Sequence, residues 1–506
     1  MQHRLALILA LATLTTAAPA GEGRPNILVF LIDDMGVMDT SVPFLTGPDG
    51  QPERYALNEF YRTPNMQRLA DQGVRFSRFY AMSVCSPTRA SIMNGQTSAR
   101  HHTTQFIKPE SNNAGAFGAQ GWQWEGITSD DITLPTLLKR GGYRTIHCGK
   151  AHFGPVGAPA EDPTNIGFDV NIAGCAWGQP GSYYGTQNFG NGIPKRQKRA
   201  VPGLEKYHGE DIYLTEALTL EMNAAITESV DAGKPFFAYM SHYAVHAPFQ
   251  ADPRFVGQYT GRKKQLAAFA SMIEGMDKSL GDMLDHLDEL GVAGNTLVLF
   301  LGDNGTDAPI GGAHAISCAA PLRGKKATHY EGGMRVPFIA AWAKPDAENP
   351  AQKRTPIEAG AITSQLGAVY DLLPTLLGAA EVELPENTAI DGIDLRKFFN
   401  PSPQGTIERE FLMHFPHQHR SSYFTSFHKG DWKLVYHYRP AERDTWDRIE
   451  LFDLAADPTE SKNLAAENPE KLGEMFGAMS AALDRSGAQF PLADDKENTL
   501  KPTLAN

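Results

Sequence analysis

Residues 26–32 are apolar at every position after Asn26, with no alternation between apolar and polar side chains. A strand of that kind buries both of its faces and belongs inside a parallel sheet covered by helices on each side. Comparable runs recur at 144–147, 235–240, 296–301 and 337–341. Between them lie segments with helical spacing at 63–72, 134–140 and 269–290. Strands alternating with helices predict an α/β fold around a large, mostly parallel sheet. In such sheets ligands collect beyond the carboxyl ends of the strands, so polar residues there are the first candidates for chemistry.

The texture changes after the stretch 391–395 and Pro401-Ser402-Pro403. From Phe411 onward the chain offers short alternating segments at 423–427, 432–438 and 450–453, then a helical pattern at 469–483. This predicts a smaller α+β unit, an antiparallel sheet with one helix. The expected organisation is an export signal at 1–20, a catalytic α/β domain at 21–395 and a C-terminal subdomain at 396–506. The chain shows no internal repeat and no extended low-complexity tract.

The signal is read from Arg4, the apolar run 5–14 and the small-x-small site Ala18-Pro19-Ala20. Its apolar run is shorter than the roughly 20 residues that a membrane-spanning helix needs. The expectation is therefore an exported protein, periplasmic or secreted, without stable membrane insertion. With 506 residues, 42% hydrophobic, the chain can build a large core. A net charge of −12 with no basic tract excludes nucleic acid as the expected partner. Only four cysteines occur, Cys85, Cys148, Cys175 and Cys318, too few for a disulfide scaffold.

Asp33-Asp34 follows the first strand, and Asp303-Asn304 follows the strand at 296–301. Oxygen donors without a cysteine or histidine set at zinc spacing suit Ca²⁺ or Mg²⁺ better than a soft metal. Either pair taken singly also fits a polar turn. Cys85-Ser86-Pro87-Thr88-Arg89-Ala90 carries the strongest signal, because Pro87 suits the first turn of a helix whose N–H groups can receive an anion.

This C-x-P-x-R element resembles the signature of the type I, formylglycine-dependent sulfatases of the alkaline phosphatase superfamily, of the kind found in bacterial polysaccharide degradation. Further elements resemble the same family in the same order: Gly149-Lys150-Ala151-His152, the segment from Phe236-Phe237 through His246-Ala247-Pro248, Gly302-Asp303-Asn304-Gly305, and Lys325-Lys326 through Tyr330-Glu331-Gly332-Gly333. Ala151 departs from the family's aromatic residue between lysine and histidine. Spacing within the family's pattern selects Lys326 over Lys325 and His246 over His242.

The resemblance implies an alkaline phosphatase-like fold and hydrolysis of sulfate esters. It implies that Cys85 is oxidised to formylglycine by a maturation enzyme, and that Asp33, Asp34, Asp303, Asn304 and the group at Cys85 hold Ca²⁺. Arg89 and Lys150 would position the modified residue, Lys150, His246 and Lys326 would bind sulfate, and His152 would act as a base. A sulfated glycan is the expected substrate, with sulfated galactose or N-acetylgalactosamine favoured. His101, His102, Trp177, Tyr183, His417, His419 and Arg420 are candidate sugar contacts. The competing readings are a broad arylsulfatase, a phosphodiesterase or phosphonate hydrolase of the same superfamily, and a glycan-binding protein without catalysis.

Overall fold

The computed structural model describes residues 23–401, 405–440 and 447–504. The expected export signal at 1–20 lies outside the described residues. Fourteen strands are described among them: β1 (Asn26–Ile32), β2 (Gly73–Phe76), β3 (Phe79–Tyr80), β4 (Arg144–Gly149), β5 (Val170–Ile172), β6 (Phe236–His242), β7 (Thr296–Gly302), β8 (Phe338–Trp342), β9 (Ala361–Thr363), β10 (Gly367–Ala368), β11 (Glu410–Gln418), β12 (Ser422–Lys429), β13 (Trp432–His437) and β14 (Ile449–Asp453). Eight of them form one sheet in the order β5-β4-β6-β1-β7-β8-β2-β9.

β1 lies at the centre, parallel to both β6 and β7. Its side chains explain the unbroken apolar run. Ile27, Val29 and Leu31 enter one core, and Leu28, Phe30 and Ile32 enter the other. Helices Leu134–Arg140, Leu214–Asp231 and Lys264–Glu289 contribute buried residues to these two layers. Truncating one such leucine to alanine costs about 2–5 kcal/mol.

The apolar run at 337–341 forms β8, which is antiparallel to both β7 and β2 and so corrects the parallel reading of that segment. A parallel return needs a crossover that carries the chain back along the sheet. Between β7 and β8 the described helices are only the short turn Ile316–Cys318 and Glu331–Met334, so the chain re-enters from the end at which it left. No helix of the described residues is long and apolar enough to cross a membrane. All four cysteines are free thiols.

The C-terminal sheet has the order β11-β12-β13-β14 and is antiparallel throughout. Phe411, Met413, Phe415, Phe424, Val435 and Phe452 join the core of the large sheet. Leu412, Phe427, Leu434 and Leu451 instead pack with Met475, Met479 and Leu483 of the helix Pro469–Ser486.

Candidate active site

Four neighbouring parallel strands deliver polar residues to one edge of the sheet. Register aligns Gly149 of β4 with Ser241 of β6, and Ile32 of β1 with His242 of β6 and Gly302 of β7. Asp33-Asp34, Lys150, Ser241 and Asp303-Asn304 therefore leave the sheet side by side. Gly149 makes the β4 exit possible: its φ is +99°, and a Cβ there would lie 2.0 Å from the Ser241 carbonyl oxygen.

Cys85 is the first residue of the helix Cys85–Asn94, every residue of which is buried. Thr88 Oγ1 accepts from Met82 N at 2.9 Å and fixes the turn that enters this helix. Helix N–H groups and the positive end of the dipole consequently point toward Cys85. Arg89, one turn on, donates to Asp303 Oδ2 at 2.8 and 3.1 Å, to the Lys150 carbonyl at 2.8 Å and to Ser241 Oγ at 2.6 Å. Burial works against the guanidinium charge, but Asp303 and Asp33 outweigh it and hold Arg89 protonated.

Two further cations neutralise the aspartates. Lys150 Nζ sits 2.6 Å from Asp33 Oδ2, and Lys326 Nζ sits 2.5 Å from Asp34 Oδ1. Lys325 turns away to the Ala308 carbonyl at 3.2 Å. His246 Nε2 approaches Asp34 Oδ2 at 3.7 Å, whereas His242 points into the core and meets Ser279 Oγ at 3.0 Å.

Burial pushes the Asp33 carboxyl well above its ordinary range, and Asp303 adds to the effect against the pull of Lys150. Burial also acts on Asp34, but Lys326, His246 and Lys150 outweigh it and leave that carboxyl below the usual range. Asp303 ends below it too, with Arg89 offsetting its burial. Lys326 is raised despite burial, chiefly by Asp34, and stays charged.

The donor set fits a hard divalent cation. Asp33 Oδ1, Asp34 Oδ2 and Asn304 Oδ1 are buried acceptors without a hydrogen-bond partner. One carboxylate oxygen each from Asp33, Asp34 and Asp303 lies within 4.8 Å of the others. Buried acceptors left unpaired cost free energy unless something else satisfies them. Oxygen atoms alone suit Ca²⁺ or Mg²⁺. The charges of Arg89, Lys150 and Lys326 balance those of the three aspartates, so a dication would leave the site positive and selective for an anion.

His152 has its tautomer set by its surroundings. Its Nε2 lies 2.7 Å from the Ile107 carbonyl, which can only accept, so the proton is on Nε2. Nδ1 then presents a lone pair to Cys85 Sγ at 3.4 Å. Burial, with Lys150 next, pushes His152 well below the usual imidazole range and keeps it neutral. His246 is lowered to about 4 by burial and by Lys326, against the pull of Asp34.

Two of the candidate sugar contacts are inside the protein. Tyr183 is fully buried, and its hydroxyl donates to the carbonyls of Tyr243 and His246 at 2.6 and 2.7 Å. His417 is buried between Thr104 Oγ1 at 2.8 Å and the Ala114 carbonyl at 3.2 Å. His101 is half-buried, and its Nε2 meets Ser91 Oγ of the Cys85–Asn94 helix at 3.0 Å. His102 Nε2 meets the Gly487 carbonyl at 3.0 Å, at the end of the C-terminal helix. Trp177 and His419 are half-buried, with Arg199 over the Trp177 ring at 5.9 Å. Arg420 pairs with Asp307 at 2.6 Å and donates to the Lys326 carbonyl at 3.2 Å, which ties it to the site.

Ser241, Asp307 and the Ile107 carbonyl are participants that the sequence motifs did not single out. The position of Ser241 at a strand's carboxyl end was the available signal for it. The other two are brought in by loops.

Residues 25–382 match the family described as Sulfatase, and residues 325–486 match the one described as N-sulphoglucosamine sulphohydrolase, C-terminal. N-acetylgalactosamine-6-sulfatase of Sus scrofa is 33% identical over 417 residues, which cover 78% of this chain and 69% of that protein. A sulfatase of Formosa agariphila is 27% identical over 502 residues, covering 88% and 86%. The crystal structure of Ps i-CgsB in complex with k-i-k-neocarrahexaose shares the fold, with a TM-score of 0.69 at 22% identity over 93% of this chain and 96% of that one. Because the first match runs from β1 through β10 and takes in Cys85, Asp33-Asp34, Asp303-Asn304 and Lys326, the chain belongs to the sulfatase family and is a sulfuric ester hydrolase.

Proposed function

We propose that this sulfatase is exported and removes sulfate from a glycan carrying sulfated galactose or N-acetylgalactosamine, using formylglycine made from Cys85 and a bound Ca²⁺. The observation that carries the reading is the set of three unpartnered acceptor oxygens on Asp33, Asp34 and Asn304, in a site where Cys85 faces a neutral histidine. The relatives named for N-acetylgalactosamine-6-sulfate support the choice of sugar. Periplasmic or secreted location rests on residues 1–20, and a maturation enzyme in the producing cell is required.

Formylglycine would supply a hydrated aldehyde as nucleophile, and the cation, held by Asp33, Asp34, Asp303 and Asn304, would supply Lewis-acid charge neutralisation. The chain's own residues perform the rest. In the structure the Cys85 thiol stands where the oxygen of that nucleophile would be. Arg89 and Lys150 fix the surroundings of residue 85 through Asp303, Asp33 and Ser241. His152 Nδ1 is free of protons and aimed at residue 85, so it accepts one from it. Lys326 is already charged and stands ready to stabilise or protonate the leaving oxygen. His246 is neutral without substrate and donates only after a nearby anion raises its pKa.

The test is sulfate release from defined sulfated galactose and N-acetylgalactosamine saccharides, run beside matched aryl sulfate and aryl phosphate esters. The expected result is sulfate release from at least one saccharide, with its loss in Cys85→Ala and an aldehyde at position 85 by peptide mass spectrometry. Release from aryl sulfates alone would contradict the glycan reading, and preferential phosphate release would favour a phosphodiesterase or phosphonate hydrolase.

A further inference from the structure

Behind the Lys326 loop lies a second convergence of metal-binding side chains that the proposed reaction does not use. His437 Nε2 is 2.8 Å from Glu450 Oε2, and His329 Nε2 is 3.5 Å from the same oxygen. One ligand atom from each of the three residues lies within 4.8 Å of the others. His329 and His437 are fully buried and Glu450 is 8% exposed, so the donors are sheltered, with the carboxylate nearest to solvent.

The backbone sets this geometry. Glu450 of β14 is paired with Val435 of β13, and His437 follows Val435 on the same face of the strand. His437 and Glu450 are therefore diagonal neighbours on one surface of the C-terminal sheet. His329 arrives from a different part of the chain, three residues beyond Lys326. Its loop is held by Ala327 N to the Ser83 carbonyl at 2.7 Å and Ser421 N to the Ala327 carbonyl at 2.9 Å. The other ring nitrogen of His329, Nδ1, lies 2.9 Å from Ser421 Oγ. That is the outer hydrogen bond which orients a ligating histidine and directs Nε2 inward.

We propose that His329, His437 and Glu450 form a second cation site, suited to zinc, which clamps β13 and β14 to the loop that carries Lys326. Two imidazole nitrogens and one carboxylate oxygen are a common zinc donor set, distinct from the oxygen-only set of the Asp33 site. Zinc at its usual ligand distances places neighbouring donors about 3.3 Å apart, close to the 2.8 and 3.5 Å separations seen here. Through the His329 loop, the clamp would help to fix the backbone from which Lys326 reaches Asp34. The inference does not depend on the sugar or on formylglycine.

The experiment is a Zn²⁺ titration of the full chain against a chromophoric chelator, with millimolar Ca²⁺ present to occupy the oxygen-donor site. One zinc per chain is expected in the wild type. It should persist in Asn304→Ala, and bind at least tenfold more weakly in His437→Ala and in Glu450→Gln. The second variant keeps the shape and an acceptor for His437, which protects the fold. Co²⁺ added to the wild type should give the intense visible bands of a four-coordinate nitrogen and oxygen site, a readout that needs no variant. Absence of both zinc uptake and those bands, or zinc affinity unchanged in Glu450→Gln, would overturn the proposal.

Discussion

Two buried clusters of charge, linked in the chain by the short step from Lys326 to Glu331, solve opposite problems. In the cluster around Asp33, Asp34 and Asp303, three acceptor oxygens have no hydrogen-bond partner. In the cluster around Glu331, every carboxylate oxygen is satisfied. Glu331 Oε1 faces His428 Nε2 at 2.7 Å and Lys433 Nζ at 3.2 Å, and its Oε2 accepts from Tyr80 at 2.9 Å. Glu460 completes the set with Lys433 at 2.5 Å and the Glu331 N–H at 2.7 Å. The carboxylates of both clusters are buried. The second joins β12 and β13 to the large sheet's connections and is closed. The first is open to a ligand, which is how a catalytic floor differs from a structural seam.

The comparison can be broken at either end. The largest effect is expected at Cys85→Ala, which should lower sulfate release by about 10³-fold or more while leaving the melting temperature near that of the wild type; a continuous sulfate assay beside calorimetry measures both. Glu331→Gln should do the reverse in kind. It leaves Lys433 and His428 without their full partner and should cost about 3–5 kcal/mol in denaturant unfolding, because one member of a buried ionic network is removed.

A pH series sharpens the contrast. Burial, against the pull of Lys433, raises Glu460 from 4.5 to about 7, so the folded state holds a proton that the unfolded state releases earlier. The resulting stabilisation is complete below pH 4.5 and is lost as pH rises through 7. His428 is lowered to about 4 by burial, against the pull of Glu331, so its contribution is present above pH 6.5 and lost as pH falls through 4. Glutamine does not titrate. The stability of Glu460→Gln relative to wild type should therefore rise between pH 5 and pH 8, measured by urea unfolding at each pH. A flat difference would contradict the buried proton. The smallest effect is expected at Tyr183→Phe, which removes the donor to the Tyr243 and His246 carbonyls and should cost about 1 kcal/mol, with a modest fall in kcat.

What could be read from the sequence follows from how local each signal is. β1, β6 and β7 are apolar on both faces, which is visible residue by residue, and the polar residues at their ends come with them. The direction of β8 depends on the connection before it, and apolar content carries no trace of that. The helix Leu214–Asp231 is legible in the same local way as β1, since Leu214, Leu218, Met222 and Ile226 recur at helical spacing. Lys326 and Lys325 look alike as side chains; spacing within the family's pattern selects Lys326, and the fold turns it to Asp34 and Lys325 to the Ala308 carbonyl. Tyr183 and His417 carried the residue types of sugar contacts but are enclosed by packing that no short motif encodes.

The most direct test is the response of thermal unfolding to calcium in chelator-treated protein. An open floor predicts that Ca²⁺ at a hundred times its dissociation constant stabilises the wild type by about 2.7 kcal/mol. The rise in melting temperature should be as large in Glu460→Gln and should shrink in Asn304→Ala, which lacks one of the unpartnered oxygens. A wild-type melting temperature unmoved by Ca²⁺ would contradict the account.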